Sequence, residues 1–146
     1  MEIKVFLDTN ILVDFLCPER SGHEEAGMIL TMILDGDIEA QIATQSIVDA
    51  AYIVQTKYGV TIEEFKEKIG YLRLRTNIGY VDSFNVKAAI ADPDPDFEDS
   101  ALIANAEYGF CDIFLTEDKK LLSRPKRPVM LIMTPQDFLS RCLVND

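Results

Sequence analysis

Four short stretches carry carboxylates where a sheet protein could use them for chemistry. Asp8 closes the apolar run IKVFLD, and Asp118 lies just past DIFL in the string DIFLTED. Asp49 falls one helical turn after AQIAT, and Asp99 one turn into a helix that begins in the run DPDPDFEDS. In open parallel sheets ligands bind beyond the carboxyl ends of the strands, so acids at such positions can converge. Carboxylates gathered in one pocket cost free energy unless a cation neutralises them. An oxygen-only set without histidine or cysteine suits Mg²⁺ or Mn²⁺. Each acid also has a structural role open to it. Asp8 and Asp118 can cap the helices that follow them, and Ser46/Asp49 and Asp96/Asp99 both have capping-box spacing.

The run DPDPDFEDS concentrates Asp92, Asp94, Asp96, Glu98 and Asp99. Two prolines keep residues 92–95 out of a helix, which predicts a stiff, solvated approach loop. The helix begins at Asp96 or Phe97. Asp99 then lies one turn into that helix, where it can converge with Asp8. Glu98 lies about 100° away around the helix and is expected to face elsewhere.

The elements that must position these acids alternate. IKVFLD, AQIAT, IGYVD, DIFLT and VMLIM read as five strands, the first apolar on both faces as in a parallel sheet. Helices are expected at 10–16, from Ser21 with Glu24 as a capping box, over SIVDAAYIVQTK, and from Thr61 with Glu64. Further helices are expected over FNVKAAIA, from the acid run to Tyr108, and after Thr134 with Pro135 as the first helical residue. Gly36, Gly59 and Gly109 are expected to close helices. The alternation means an α/β fold with a mostly parallel sheet and helices on both faces.

At 146 residues and 48% hydrophobic, the chain fits one domain spanning 1–146 with a real core. No apolar run reaches the length of a membrane span, and the first residues do not read as a signal peptide, so the cytoplasm is the expected location. Cys17, Cys111 and Cys142 are odd in number and far apart, which argues against a disulfide framework; His23 alone cannot build a zinc site and reads as an exposed first-turn residue. No Walker loop or GxGxxG fingerprint is present. The net charge of −11 disfavours broad nucleic-acid binding, but acids that load a divalent cation do not repel phosphate. Arg124, Lys126 and Arg127 in SRPKRP are candidate phosphate contacts. Lys66, Lys68, Arg73 and Arg75 could also meet phosphates but read first as a solvated face; Tyr52, Tyr71 and Tyr80 could stack bases but read first as core or half-buried packing; Met28, Met32 and Leu34 read as core or dimer contact.

Taken together, VFLDTNILVDFL, DFEDSALIANAEYGFCDIFLTEDKKL and PVMLIMTPQDFL resemble the PIN-domain family in the right order over nearly the whole chain. The resemblance implies a three-layer α/β/α fold with a mostly parallel sheet of about five strands. It implies an endoribonuclease dependent on Mg²⁺ or Mn²⁺, often the toxin of a VapC-like toxin–antitoxin pair. Its expected partners are an RNA substrate, an antitoxin protein and a second copy in a homodimer, with no membrane. In such an enzyme a water with its pKa lowered by the metal attacks phosphorus, leaving a 5′-phosphate and a 3′-hydroxyl. Carried over by position, Asp8, Asp99 and Asp118 are the metal acids, and Asn10, Thr116 and Asp96 support them. The implied catalytic set is Asp8, Asp49, Asp99, Asp118 and Thr116. Many family members place glutamate where this chain has Asp49, one methylene shorter. Two alternatives stand beside this reading: a non-catalytic PIN-like binding module, and a receiver-like domain for which Asp82 is the available phosphoacceptor.

Overall fold

The computed structural model describes the backbone of residues 2–144 and the side chains of residues 2–142. Five parallel strands form the centre: β1 (Lys4–Leu7), β2 (Glu39–Ala43), β3 (Asn77–Gly79), β4 (Ile113–Leu115) and β5 (Leu131–Met133). Among the described residues eight helices surround them: α1 (Thr9–Leu16), α2 (His23–Leu34), α3 (Thr44–Lys57), α4 (Ile62–Arg73), α5 (Ser83–Ala91), α6 (Phe97–Tyr108), α7 (Lys119–Leu122) and α8 (Pro135–Val144). The strand order is β3-β2-β1-β4-β5. The chain therefore steps outward from β1 to β3, then returns to β1's other side as β4. The crevice at the carboxyl ends of β1 and β4 is the point where the direction reverses.

Alternation along β1 explains the layers. Val5 and Leu7 face one apolar cluster, which takes Ile11, Leu12, Ile29, Val54, Phe65 and Phe138 from α1, α2, α3, α4 and α8. Phe6 faces the other, with Leu102 and Ile103 of α6 and Leu121 of α7, and stacks on Phe114 of β4 at 4.7 Å between ring centres. Helices on both faces of the sheet make the three-layer α/β/α arrangement expected from the alternation.

Two expected helix starts differ. Ser21 does not cap α2: the helix begins at His23 behind Gly22, without a side-chain cap. His23 is half-buried rather than exposed, with Nδ1 2.8 Å from the Asp14 carbonyl oxygen. Ser46 is not a cap either. The extended chain turns at Ala43, so α3 starts at Thr44 and Ser46 lies buried inside its first turn. Thr61 and Thr134 do cap, accepting from the Glu64 and Asp137 N–H groups at 3.2 and 3.1 Å.

The helix ends divide by mechanism. Gly36 and Gly59 take left-handed φ values of +82° and +66°, where a Cβ is strained. Gly109 sits at φ −82°, and Phe110 takes the left-handed position at φ 59°. Glycine is needed at 109 for space: a Cβ there would run into the Gln41 side-chain amide. That buried amide donates to the Asn105 carbonyl and to Asn105 Oδ1 at 3.0 and 2.9 Å. Asn105 donates in turn to the Tyr80 carbonyl at 2.8 Å and to Asn85 at 3.2 Å, tying α6 to β2 and α5.

The contrast at this turn sets a pair of expectations. Gly109→Ala should destabilise by about 1–3 kcal/mol, through forced movement of the Gln41–Asn105 pair. Phe110→Gly relieves a left-handed non-glycine residue that is 86% exposed, and should be neutral or stabilising by up to about 1 kcal/mol. Chemical denaturation of the two variants checks both.

Candidate active site

β1 ends where its hydrogen-bond ladder hands over to side chains. The Asp8 N–H still donates to the Leu115 carbonyl at 3.1 Å, so the strand pairing fixes Asp8 beside the end of β4. Its carboxylate is buried and fully engaged. Oδ1 accepts from the Thr9 N–H at 2.8 Å, which caps α1. Oδ2 accepts from the Thr116 hydroxyl at 2.7 Å and from Asn10 Nδ2 at 3.2 Å. Thr116 also accepts from Asn10 and from the Asp118 N–H, at 3.2 and 3.0 Å, and Asn10 Oδ1 accepts from the Glu117 N–H at 3.1 Å. Asn10 and Thr116 thus lock Asp8 to the loop that carries Asp118. Burial raises the Asp8 carboxyl above the usual carboxylate range; its three hydrogen bonds pull it partly back, and Asp118 pushes it up again.

Asp99 reaches the same place from α6. Asp96 caps this helix, accepting from the Asp99 N–H at 3.1 Å. The Asp99 carboxyl is pushed up to about 7, first by burial, then by the neighbouring charges of Asp96, Asp118 and Asp8. Its Oδ2 is buried with no hydrogen-bond partner. Asp118 caps α7 with one oxygen, accepting from the Lys120 N–H at 2.9 Å. Capping and site placement therefore coexist in Asp8 and Asp118.

Asp49 projects from α3 into the same cleft, with Gln45 donating to its Oδ1 at 3.0 Å. Glu98 faces it, contrary to the expectation that this residue turns away. The Glu98 carboxyl is raised, first by burial and then by the charge of Asp49. The longer glutamate side chain covers the angle that separates it from Asp99. An acid in the first turn of a helix capped by Asp96 is the signal that could have found it. The cleft, of about 860 Å³, is lined by all six acids: Asp8, Asp49, Asp96, Glu98, Asp99 and Asp118.

The basic candidates fall elsewhere. Arg124 is almost fully buried and holds the acid loop, with Asp94 at 3.0 Å, Asp92 at 3.7 Å, the Ser100 hydroxyl at 3.1 Å and the Asp96 carbonyl at 3.2 Å. Residues 92–95 are thus clamped by Arg124 while Pro93 and Pro95 stay exposed to solvent, and Arg124 is committed inside the fold. Arg127 forms a two-pronged pair with Glu107, at 2.7 and 2.8 Å. Lys126 remains exposed. Asp82 is accounted for as the cap of α5, in a reciprocal box with Asn85.

The donor set fits a hard divalent cation: buried or half-buried carboxylates, an orphaned Asp99 oxygen, and mutual repulsion that raises their proton affinity. Among the described residues no three acids, thiols or imidazoles stand close enough to form a closed ligand cluster. Mg²⁺ commonly keeps several waters and uses one or two carboxylates.

Comparison with known proteins places this geometry. A family model described as PIN domain matches residues 4–120. No curated protein matches the sequence. Solved structures with the same fold include a sarcin-ricin-loop-cleaving toxin of Mycobacterium tuberculosis, VapC20, at TM-score 0.62 and 11% identity, covering 79% of this chain and 90% of that one. A toxin–antitoxin complex from Klebsiella pneumoniae aligns at TM-score 0.63 and 17% identity, over 90% and 97% of the two chains. VapBC2 from Rickettsia felis, bound to a DNA fragment from its promoter, aligns at TM-score 0.60 and 13% identity, over 89% and 97%.

The raised Asp99 carboxyl sets the pH response of the metal-free protein. The folded group binds its proton more tightly than the unfolded one, which titrates near 3.8. Stability should therefore fall as pH rises from about 4 through about 7. Thermal midpoints in EDTA should show this slope, and Asp99→Asn should flatten it.

Proposed function

The chain belongs to the PIN-domain family, and on that premise we propose that it is a divalent-metal-dependent endoribonuclease acting as the toxin of a toxin–antitoxin pair. The observation that carries this reading is the convergence of acids from separate segments on the crevice beyond β1 and β4, with an Asp99 oxygen left unpartnered. The proposal includes Mg²⁺ or Mn²⁺ as cofactor, one domain over residues 1–146, a cytoplasmic location, a homodimer and an antitoxin partner. The toxin–antitoxin structures that share the fold support the last of these. Among the described residues no helix is long and apolar enough to cross a membrane.

Asp8 and Asp99 would hold the ion, with Asp118 reaching it through a retained water, and Asp96 shapes the helix end that presents Asp99. When bound, such an ion lowers the pKa of a water and offsets charge on phosphoryl oxygens. The chain's own work is positional and protonic. Thr116, Asn10 and the Thr9 N–H fix both Asp8 oxygens, so this acid does not swing as charge arrives. Asp49 and Glu98 line the same cleft and offer carboxylates for proton transfer beside the metal acids. Lys126, exposed near the acid loop, remains a candidate phosphate contact.

Cleavage of end-labelled RNAs in Mg²⁺ or Mn²⁺ tests the reading. Asp8→Asn and Asp99→Asn should each lower the rate by about a hundredfold or more. Thr116→Val should cost about tenfold to a hundredfold through misplacement of Asp8. Wild-type protein that cuts no better than the two aspartate variants, over structured and unstructured RNAs, would remove catalysis from the account.

A further inference from the structure

The cleft that holds the acids also contains a basic end. Asp49, Ile53 and Lys57 all line it from α3. They are spaced four residues apart on one helix face, which puts Lys57 about 12 Å along the axis from Asp49. Arg20 and Tyr58 line the cleft as well. Arg20 Nη1 donates to the Tyr58 hydroxyl at 2.8 Å, which fixes the guanidinium at the cleft wall.

Arg20 has a structural duty as the counterion of Asp14. Its Nε donates to Asp14 Oδ1 at 2.8 Å, and the Asp14 side chain is only 4% exposed. Gly22 makes room for this carboxylate, since a Cβ there would run into Asp14 Oδ2. That duty uses one of the five guanidinium N–H groups, and Tyr58 uses a second. The other three are not consumed by these bonds, and the side chain is 30% exposed. The guanidinium also lies over the Tyr58 ring, 5.6 Å from its centre. Arg20 is thus held in place by a buried acid and an aromatic ring, with donors to spare. A planar fork preorganised this way loses little entropy when it takes an oxyanion. Among the described residues Lys57 has no ion-pair partner.

Between the acids and this basic end stands Tyr52, on the same helix and 69% exposed. It was expected to be core or half-buried; its ring instead offers an open aromatic face in the cleft. Base stacking on such a ring requires an unpaired nucleotide.

Resting on the ribonuclease reading above, we propose that this end of the cleft is a substrate site for single-stranded RNA: Arg20 and Lys57 bind backbone phosphates a short run of nucleotides from the scissile bond, and Tyr52 stacks an intervening base. The acids place the reacting phosphate and the basic end sets the direction of the strand. Cations inside the cleft offset locally part of the repulsion that an overall charge of −11 sets against a polyanion.

The test is binding of a fluorescent oligouridine, read by anisotropy over a range of KCl with Ca²⁺ as the divalent ion, and with gel analysis to verify that the RNA is intact. Lys57→Gln should weaken binding several-fold and reduce the slope of log K against log salt by about 0.7. Tyr52→Ala should weaken it by about tenfold with the slope unchanged. Arg20→Lys keeps a cation for Asp14 but loses the fork, and should weaken binding with a thermal midpoint close to wild type. If Lys57→Gln and Tyr52→Ala bind with wild-type affinity and slope, or if wild type does not bind the oligonucleotide, the site is wrong even where RNA is cleaved elsewhere. If binding depends on these residues but wild type cuts no RNA, the nuclease reading falls and this site stands.

Discussion

Like charge held together without a built-in counterion is the constraint around which this fold is organised. Six carboxylates line one cleft, and Arg124 stands outside that lining, against the acid loop. It pairs with Asp92 and Asp94 of the approach loop, and touches the backbone of Asp96 and the hydroxyl of Ser100. The loop acids are neutralised in this way, and the acids of the cleft are not. Backbone geometry holds the cleft acids against their repulsion instead. Asp8 is set by its place between β4's last carbonyl and the first N–H of α1, Asp96 and Asp118 by the helices they cap. Helix N-termini carry partial positive charge, so they are the sites where a carboxylate is cheapest to hold without a cation.

The rest of the structure braces that arrangement. Two apolar layers sandwich β1 and β4, and the Phe6–Phe114 stack joins the strands whose ends carry Asp8 and Thr116. The helix that carries Asp99 is fixed at both ends, by Arg124 near its start and by Asn105 near its close. The Asn105 anchor needs a glycine at 109, and the next residue, Phe110, takes the left-handed position at the same turn.

Much of this was legible in the sequence because it is written in local periods. Apolar runs of strand length followed by helical stripes gave five strands and the three layers, and Asp8, Asp99 and Asp118 were marked by where those runs stop. Capping and ligand roles looked like alternatives for each acid, but a carboxylate has two oxygens, and Asp118 uses one of them for its cap. Other features lie in tertiary pairing and leave no local trace. Arg124 sits 30 residues beyond Asp94 in the chain, and only the fold brings its guanidinium to that loop. Ser21 and Ser46 had the right residue type and spacing for caps, but backbone entry from Gly22 and Ala43 decided the starts. Glu98 was assigned by helical angle alone, which neglects the reach of its side chain. The exposure of Tyr52, Tyr71 and Tyr80 depends on what packs over them, and periodicity does not report that.

If the cleft acids form a cation site, an ion that binds there displaces the proton of its key member, Asp99, into the solvent. Calorimetric titration with Mn²⁺ at about pH 6.5, in two buffers of different ionisation enthalpy, measures binding and proton release together. With its carboxyl pushed up to about 7, Asp99 is partly protonated under these conditions. The account predicts binding with net proton release, and loss of that release in Asp99→Asn. Absence of Mn²⁺ binding, or binding with the same proton count in wild type and Asp99→Asn, would contradict it.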